Sequence, residues 1–144
     1  MPPPQLLSFH RGCANMAMPT RTLTREEYQA LYPPPAPPTG DELKAVRRLL
    51  DIAQSDTDQA RRCANFLLAW WNAGSSGGFD LTDLWSVDAA ITGDMVAVFG
   101  LVARVRMYPA SFDPTLDAPF RALVRAQRDW REVDREPVSG PGSL

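Results

Sequence analysis

The chain has 144 residues, 44% of them apolar and 22% charged, the composition of one globular domain with a sizeable core. A net charge of -2 excludes a generally basic nucleic-acid coat and an acidic mimic of DNA. One histidine, His10, and two distant cysteines, Cys13 and Cys63, leave little room for a histidine-based metal site, argue against a disulfide framework and point to a reducing compartment.

Nine of the fourteen prolines lie in residues 1–40. Pro2-Pro3-Pro4 and the run from Pro33 to Pro38 read as polyproline II, so residues 1–38 form a largely extended arm. The PxxP spacing in the second run matches a peptide-ligand pattern, but a spacer is the simpler reading. Met16 and Met18 are alternative starts that would make the first fifteen residues dispensable. The start lacks a basic region, and Leu6–Phe9 is too short for a secretory signal. The longest apolar run, Met95 to Ala103, has nine residues, against roughly 20 for a membrane span. The chain therefore reads as cytoplasmic, with no membrane partner.

One short helix, Arg25–Leu31, interrupts the arm. Thr24 and Glu27 form a capping box, Leu23 and Tyr28 are spaced for a hydrophobic staple, and Pro33 stops it. From Thr39 the composition changes. Thr39 and Glu42 make a second capping box, opening a helix to about Gln54 with Leu43, Val46, Leu49, Leu50 and Ala53 on one face. Asp56 to Asp58 starts the next helix, which runs to about Ala73 and is closed by Gly74. Its broad apolar face marks a central helix with neighbours on two sides.

Gly74–Gly78 is a connector. A short helix capped by Asp80 or Thr82 follows, continuing to about Thr92. Gly93-Asp94 marks a break and a new cap. Met95–Met107 then reads as the buried core helix, with Gly100 hinting at close helix–helix approach. The last helix spans about Ala118 to Asp134, and residues 136–144 form a disordered tail. No period-two strand appears. The expected fold is all-α: a compact bundle of about five helices over residues 39–135, behind the arm.

No catalytic motif stands out. Asp41, Asp56, Asp80, Asp94 and Asp117 sit at helix starts, where carboxylates cap and complement the dipole. Asp80, Asp83 and Asp88 could instead form a hard-metal or acid/base cluster, but their spacing matches no ligand motif. The glycine loop lacks the Gly-Lys-Ser/Thr ending of a phosphate loop. The reading is a non-enzyme with no cofactor and no metal.

Trp70, Trp71, Phe79 and Trp85 fall within sixteen residues. Adjacent tryptophans point about 100° apart on a helix, so both cannot face one partner helix. In the plain reading Trp70 is core and Trp71 packs under the glycine loop. In the functional reading Trp71, Phe79 and Trp85 line an exposed groove that anchors a protein partner or a second copy. The last helix carries Arg121, Arg125, Arg128 and Arg135 in one stripe, with Arg131 at its margin, opposite Leu123, Gln127 and Trp130. Such a stripe is either a solvated face or a contact for nucleic acid or an acidic surface. Fourteen arginines against one lysine, Lys44, slightly favour interfaces, although a GC-rich genome gives the same bias.

The stretch Arg61-Arg62, Phe66-Leu67-Leu68-Ala69-Trp70-Trp71-Asn72-Ala73, Gly77-Gly78-Phe79-Asp80-Leu81-Thr82-Asp83-Leu84-Trp85, Val87-Asp88, Asp94-Met95, Val98-Phe99-Gly100-Leu101 and Tyr108-Pro109 resembles an uncharacterised family of short proteins encoded on integrated plasmids and conjugative islands of proteobacteria. The likeness covers about residues 43 to 130. It brings no activity and no catalytic residues. It implies a bacterial cytoplasmic protein of mobile-element biology, a setting in which small proteins bind host or element proteins, including inhibition of host defence complexes.

Overall fold

The computed structural model describes residues 21–135. His10, Cys13, Met16, Met18 and the tail from 136 lie outside them. Chain contacts divide the protein into two units, Met1–Pro34 and Pro35–Leu144.

The first unit contains α1, Arg25–Leu31. Thr24 Oγ1 accepts the Glu27 N–H at 3.2 Å, and Glu27 Oε2 accepts the Thr24 N–H at 3.0 Å, so two orphan donors of the first turn are satisfied reciprocally. The helix buries none of its side chains.

The second unit is all-α, with no strand among the described residues. It contains α2 (Gly40–Ala53), α3 (Asp58–Ser76), a 3-10 turn (Leu81–Ser86), α4 (Ala89–Val105), the single turn α5 (Pro109–Phe112), a second 3-10 turn (Pro114–Leu116) and α6 (Asp117–Val133). Pro35 to Pro38 go with this unit, where the Pro37 carbonyl accepts a hydrogen bond from Arg104 at 3.0 Å.

The Thr39–Glu42 capping box starts α2, with bonds of 2.8 and 3.3 Å. Ala45, Val46, Leu49, Leu50 and Ala53 then fall on one face, as the 3.6-residue period requires, and are buried. Arg48 crosses to Asp94 on α4 with a fork of 2.9 and 2.6 Å. The arginine is half-exposed, so solvent screens the pair and it chiefly sets the register of α2 on α4. The central helix is α3, which packs on α2, α4 and α6. Its Cys63, Ala64, Leu67 and Leu68 are wholly buried, as is Phe120 of α6.

Three sequence expectations are corrected. First, α3 does not close at Gly74. It kinks at Asn72 and runs one more turn to Ser76. Asn72 Oδ1 accepts the Ser75 N–H at 3.2 Å and so caps that last turn. Gly77, at φ +89°, ends it. Second, Gly93-Asp94 is not a break. Helix α4 is continuous through it from Ala89, because Asp94 is drawn to Arg48 and buried Ile91 and Met95 anchor the turns on either side. Third, α4 is not apolar because it is buried all round. Ile91, Met95, Val98, Leu101 and Val105 face the core, whereas Val96 and Phe99 are 62% and 65% exposed. A Cβ at Gly100 would meet nothing within 4 Å, so no helix among the described residues approaches closely there.

Candidate functional site

The two tryptophans take different places. Trp71 lies flat on Phe120, with centroids 5.1 Å apart and planes 16° apart, and its remaining surface faces a shallow depression beside Asn72, Tyr108 and Ala110. Trp70 meets Phe120 edge-on at 6.1 Å, stacks on Phe112 at 5.9 Å and donates its indole N–H to the Met107 carbonyl at 3.1 Å. Neither ring is free to reorient. Trp70, and not Trp71, reaches the groove that carries Phe79.

That groove is an almost wholly apolar recess. It holds about 270 Å³ and is lined by Phe66, Ala69 and Trp70 of α3, Phe79 and Leu81 of the following loop, and Phe99 and Val102 of α4. Phe79 packs edge-to-face on Phe66 at 5.2 Å, a geometry worth about 0.5–1.5 kcal/mol beyond area burial. Leu81 and Phe99, each about two-thirds exposed, form the rim. Trp85 lies on the same 3-10 turn as Leu81 and is 84% exposed.

The wall that carries Phe79 and Leu81 is held by polar contacts. Asp80 Oδ1 accepts the Thr82 N–H at 2.9 Å and its hydroxyl at 2.8 Å, which starts the turn. Those bonds, the backbone one foremost, hold the Asp80 carboxyl below its usual range. Asp83 pairs with Arg62 of α3, whose Nε is buried without a hydrogen-bond partner. The Thr92 hydroxyl of α4 donates to the Leu84 carbonyl at 3.3 Å. The Asp88 N–H donates to Gln59 of α3 at 3.0 Å. The groove is thus preformed, with walls fixed by contacts outside its apolar floor.

The same contacts place the aspartates. Asp80 starts a turn, Asp83 is an ion-pair partner, and Asp88 is the N-cap of α4. No group of three or more His, Cys, Asp or Glu side chains able to hold a metal ion occurs among the described residues. Burial pushes the Cys63 thiol up to about 11, so it carries almost no thiolate at neutral pH.

The arginine stripe is divided. Arg121 pairs with Asp117 one turn back at 2.7 Å. Arg131 donates to the Ser76 carbonyl and so caps the C-terminal turn of α3. Arg125 and Arg128 are exposed on α6. On the opposite side Leu123 is buried, and Gln127 donates to Asn65 of α3 at 3.1 Å.

Residues 43–128 match the family of unknown function DUF7673. The chain belongs to this family. The DUF7673 span contains the whole groove, Trp71, Trp85, Arg121, Arg125 and Arg128, and leaves Arg131 outside. No curated protein and no solved structure matches the chain.

Groove residues that sequence reasoning passed over are Leu81, Phe99 and Val102, with Phe66, Ala69 and Trp70 beneath them. Phe99 and Val102 were hidden by the uniform apolarity of α4, where helical spacing alone does not tell the outer face from the inner. Trp70 had a usable signal. It continues the Cys63–Phe66 stripe of α3 beyond the point where buried neighbours cover it.

Proposed function

We propose that this DUF7673 protein is a non-enzymatic protein-binding module whose site is the groove around Phe79, rather than the surface at Trp71. The observation that carries the reading is a preformed apolar recess of about 270 Å³ with exposed Leu81 and Phe99 at its rim. Its size and lining suit one or two large apolar side chains of a partner protein, and small-molecule chemistry has no titratable group in its lining to work with. A cytoplasmic setting is a proposal that rests on the two distant cysteines and on the resemblance of residues 43 to 130, whereas a proteobacterial mobile-element origin and a host defence complex as target rest on that resemblance alone.

The nucleic-acid reading is the weaker one. With Arg121 and Arg131 engaged by partners of the same chain, the stripe offers Arg125, Arg128 and Arg135. Three cations release about three counterions, whereas tight duplex binders make roughly 6–10 phosphate contacts.

Leu81→Arg tests the groove. Leu81 is two-thirds exposed, so the variant folds, but it places a charge in the recess. In a nuclease-treated pull-down compared by mass spectrometry, a protein retained by the wild type is expected to be lost from Leu81→Arg and kept by Arg125→Ala/Arg128→Ala. Identical captures from wild type and Leu81→Arg would overturn the reading.

A further inference from the structure

Among the helices of the second unit, α2 and α6 present several charged side chains to water, whereas the two of α4, Asp94 and Arg104, are both held in ion pairs with α2. The outer face of α4 runs through Ala89, Gly93, Val96, Gly100 and Ala103, all exposed and spaced three or four residues apart. The charged residues between its ends turn away: Asp94 goes to Arg48 and Arg104 to Glu42, both on α2. Phe99 joins this bare face to the groove, because it belongs to both. Gly93 and Gly100 have open space where a Cβ would be, so the protomer makes no use of their smallness. Each weakens an isolated helix relative to alanine.

Trp85, the most exposed large apolar side chain of the described residues, stands on the 3-10 turn that is tied to α4 at Thr92. It lies four residues beyond Leu81, roughly 8 Å along a 3-10 turn from the groove rim. The projecting indole and the Leu81 rim of the recess are thus carried on one turn, which the Thr92–Leu84 hydrogen bond joins to α4. A two-fold axis through the outer face of α4 presents each copy's projection to the other copy's recess, which is the self-complementarity an isologous contact requires.

Area and charge agree with this. At 84% and 65% exposure, Trp85 and Phe99 leave roughly 300 Å² of aromatic surface in water. Leu81, Val96 and the small residues of α4 bring the patch toward the roughly 800 Å² per partner of a standard interface. A net charge of -2 opposes self-association only weakly.

We propose that two copies of the chain pair through the outer face of α4, with Trp85 of each seated in the Phe79 groove of the other. The pairing rests on the groove reading and names its occupant.

Sedimentation equilibrium on the full chain tests it. The wild type is expected to move with concentration from 15.9 kDa toward twice that mass. Trp85→Ala is expected to weaken association at least about 30-fold. Val96→Glu, which places a charge on the face, is expected to do the same. Both positions are exposed, so circular dichroism and melting of these variants at low concentration should match the wild type. A mixture supplies the specific test. Trp85→Ala keeps its recess and Leu81→Arg keeps its indole, so each alone is monomeric while the mixture forms a mixed dimer with one seated tryptophan. A wild type that stays at single mass up to about 1 mM, or a Trp85→Ala chain that associates as tightly as wild type, overturns the pairing. Loss of partner capture by Leu81→Arg, in a chain that remains monomeric, would still support the groove while rejecting its occupancy by a second copy.

Discussion

Phe120 shows how one buried residue organises a site it does not line. It is fully buried, with Trp71 flat on one side and Trp70 edge-on beside it. Those contacts decide which indole reaches the groove and which is held over α6. Phe120→Ala is expected to lower stability by about 3–5 kcal/mol, through lost transfer energy plus a cavity that two large rings cannot collapse into. For a domain of this size that is a fall in melting temperature of the order of 15 °C, measurable by calorimetry. A fall of less than about 3 °C would mean that the tryptophans repack. Trp85→Ala is the contrast: the same aromatic class, 84% exposed, and a change within about 0.5 kcal/mol.

At the level of elements, the end of α3 depends on a residue far along the chain. Gly77 sits at φ +89°, and a Cβ there would stand 2.9 Å from the Arg131 guanidinium, which in turn caps the Ser76 carbonyl. Gly77→Ala is expected to destabilise by more than about 1 kcal/mol, through backbone strain and displacement of that arginine together. In Arg131→Ala the steric part vanishes, so a double-mutant cycle by urea unfolding should show Gly77→Ala costing less there than in the wild type. Equal costs would leave backbone strain as the whole effect. This turn also explains what the sequence made legible. The starts of α1 and α2 were readable because a capping box is a local device: Thr24–Glu27 and Thr39–Glu42 satisfy their own orphan donors within four residues. The end of α3 and the continuity of α4 were not readable, because Arg131 lies 55 residues from Ser76 and Arg48 lies 46 residues from Asp94. Those partners override the local stop signals of Gly74 and Gly93. The site follows the same rule. The aromatic cluster located the region, and Phe79 is in the groove, but the choice between Trp70 and Trp71 was made by Phe112, Met107 and Phe120, which sit on later elements.

At the scale of the whole molecule, the contacts that lock helix to helix are carboxylate–arginine pairs over an uncharged core, so the fold should respond to acid. Glu42 is held below its ordinary value of 4.5, first by the hydrogen bond from Arg104 and then by the Thr39 N–H. Asp113 is held below 3.8, first by the Thr115 hydroxyl, with Arg47 also contributing. For a carboxyl depressed in the folded state, the unfolded chain binds more protons near and below the ordinary pKa. Stability from these groups is therefore fully present above about pH 4.5 and is lost as pH falls through the folded-state values. Glu42 has the wider reach, since Arg104 holds both its carboxylate and the Pro37 carbonyl, tying the start of α2 to the end of α4. Glu42→Gln should melt lower than wild type at neutral pH and change less between about pH 5 and about pH 3, so that the two curves converge in acid. Curves that stay parallel over that range would remove Glu42 from the acid response and leave Asp113, at the junction of α2 with the turn before α6, as the carboxylate to substitute next.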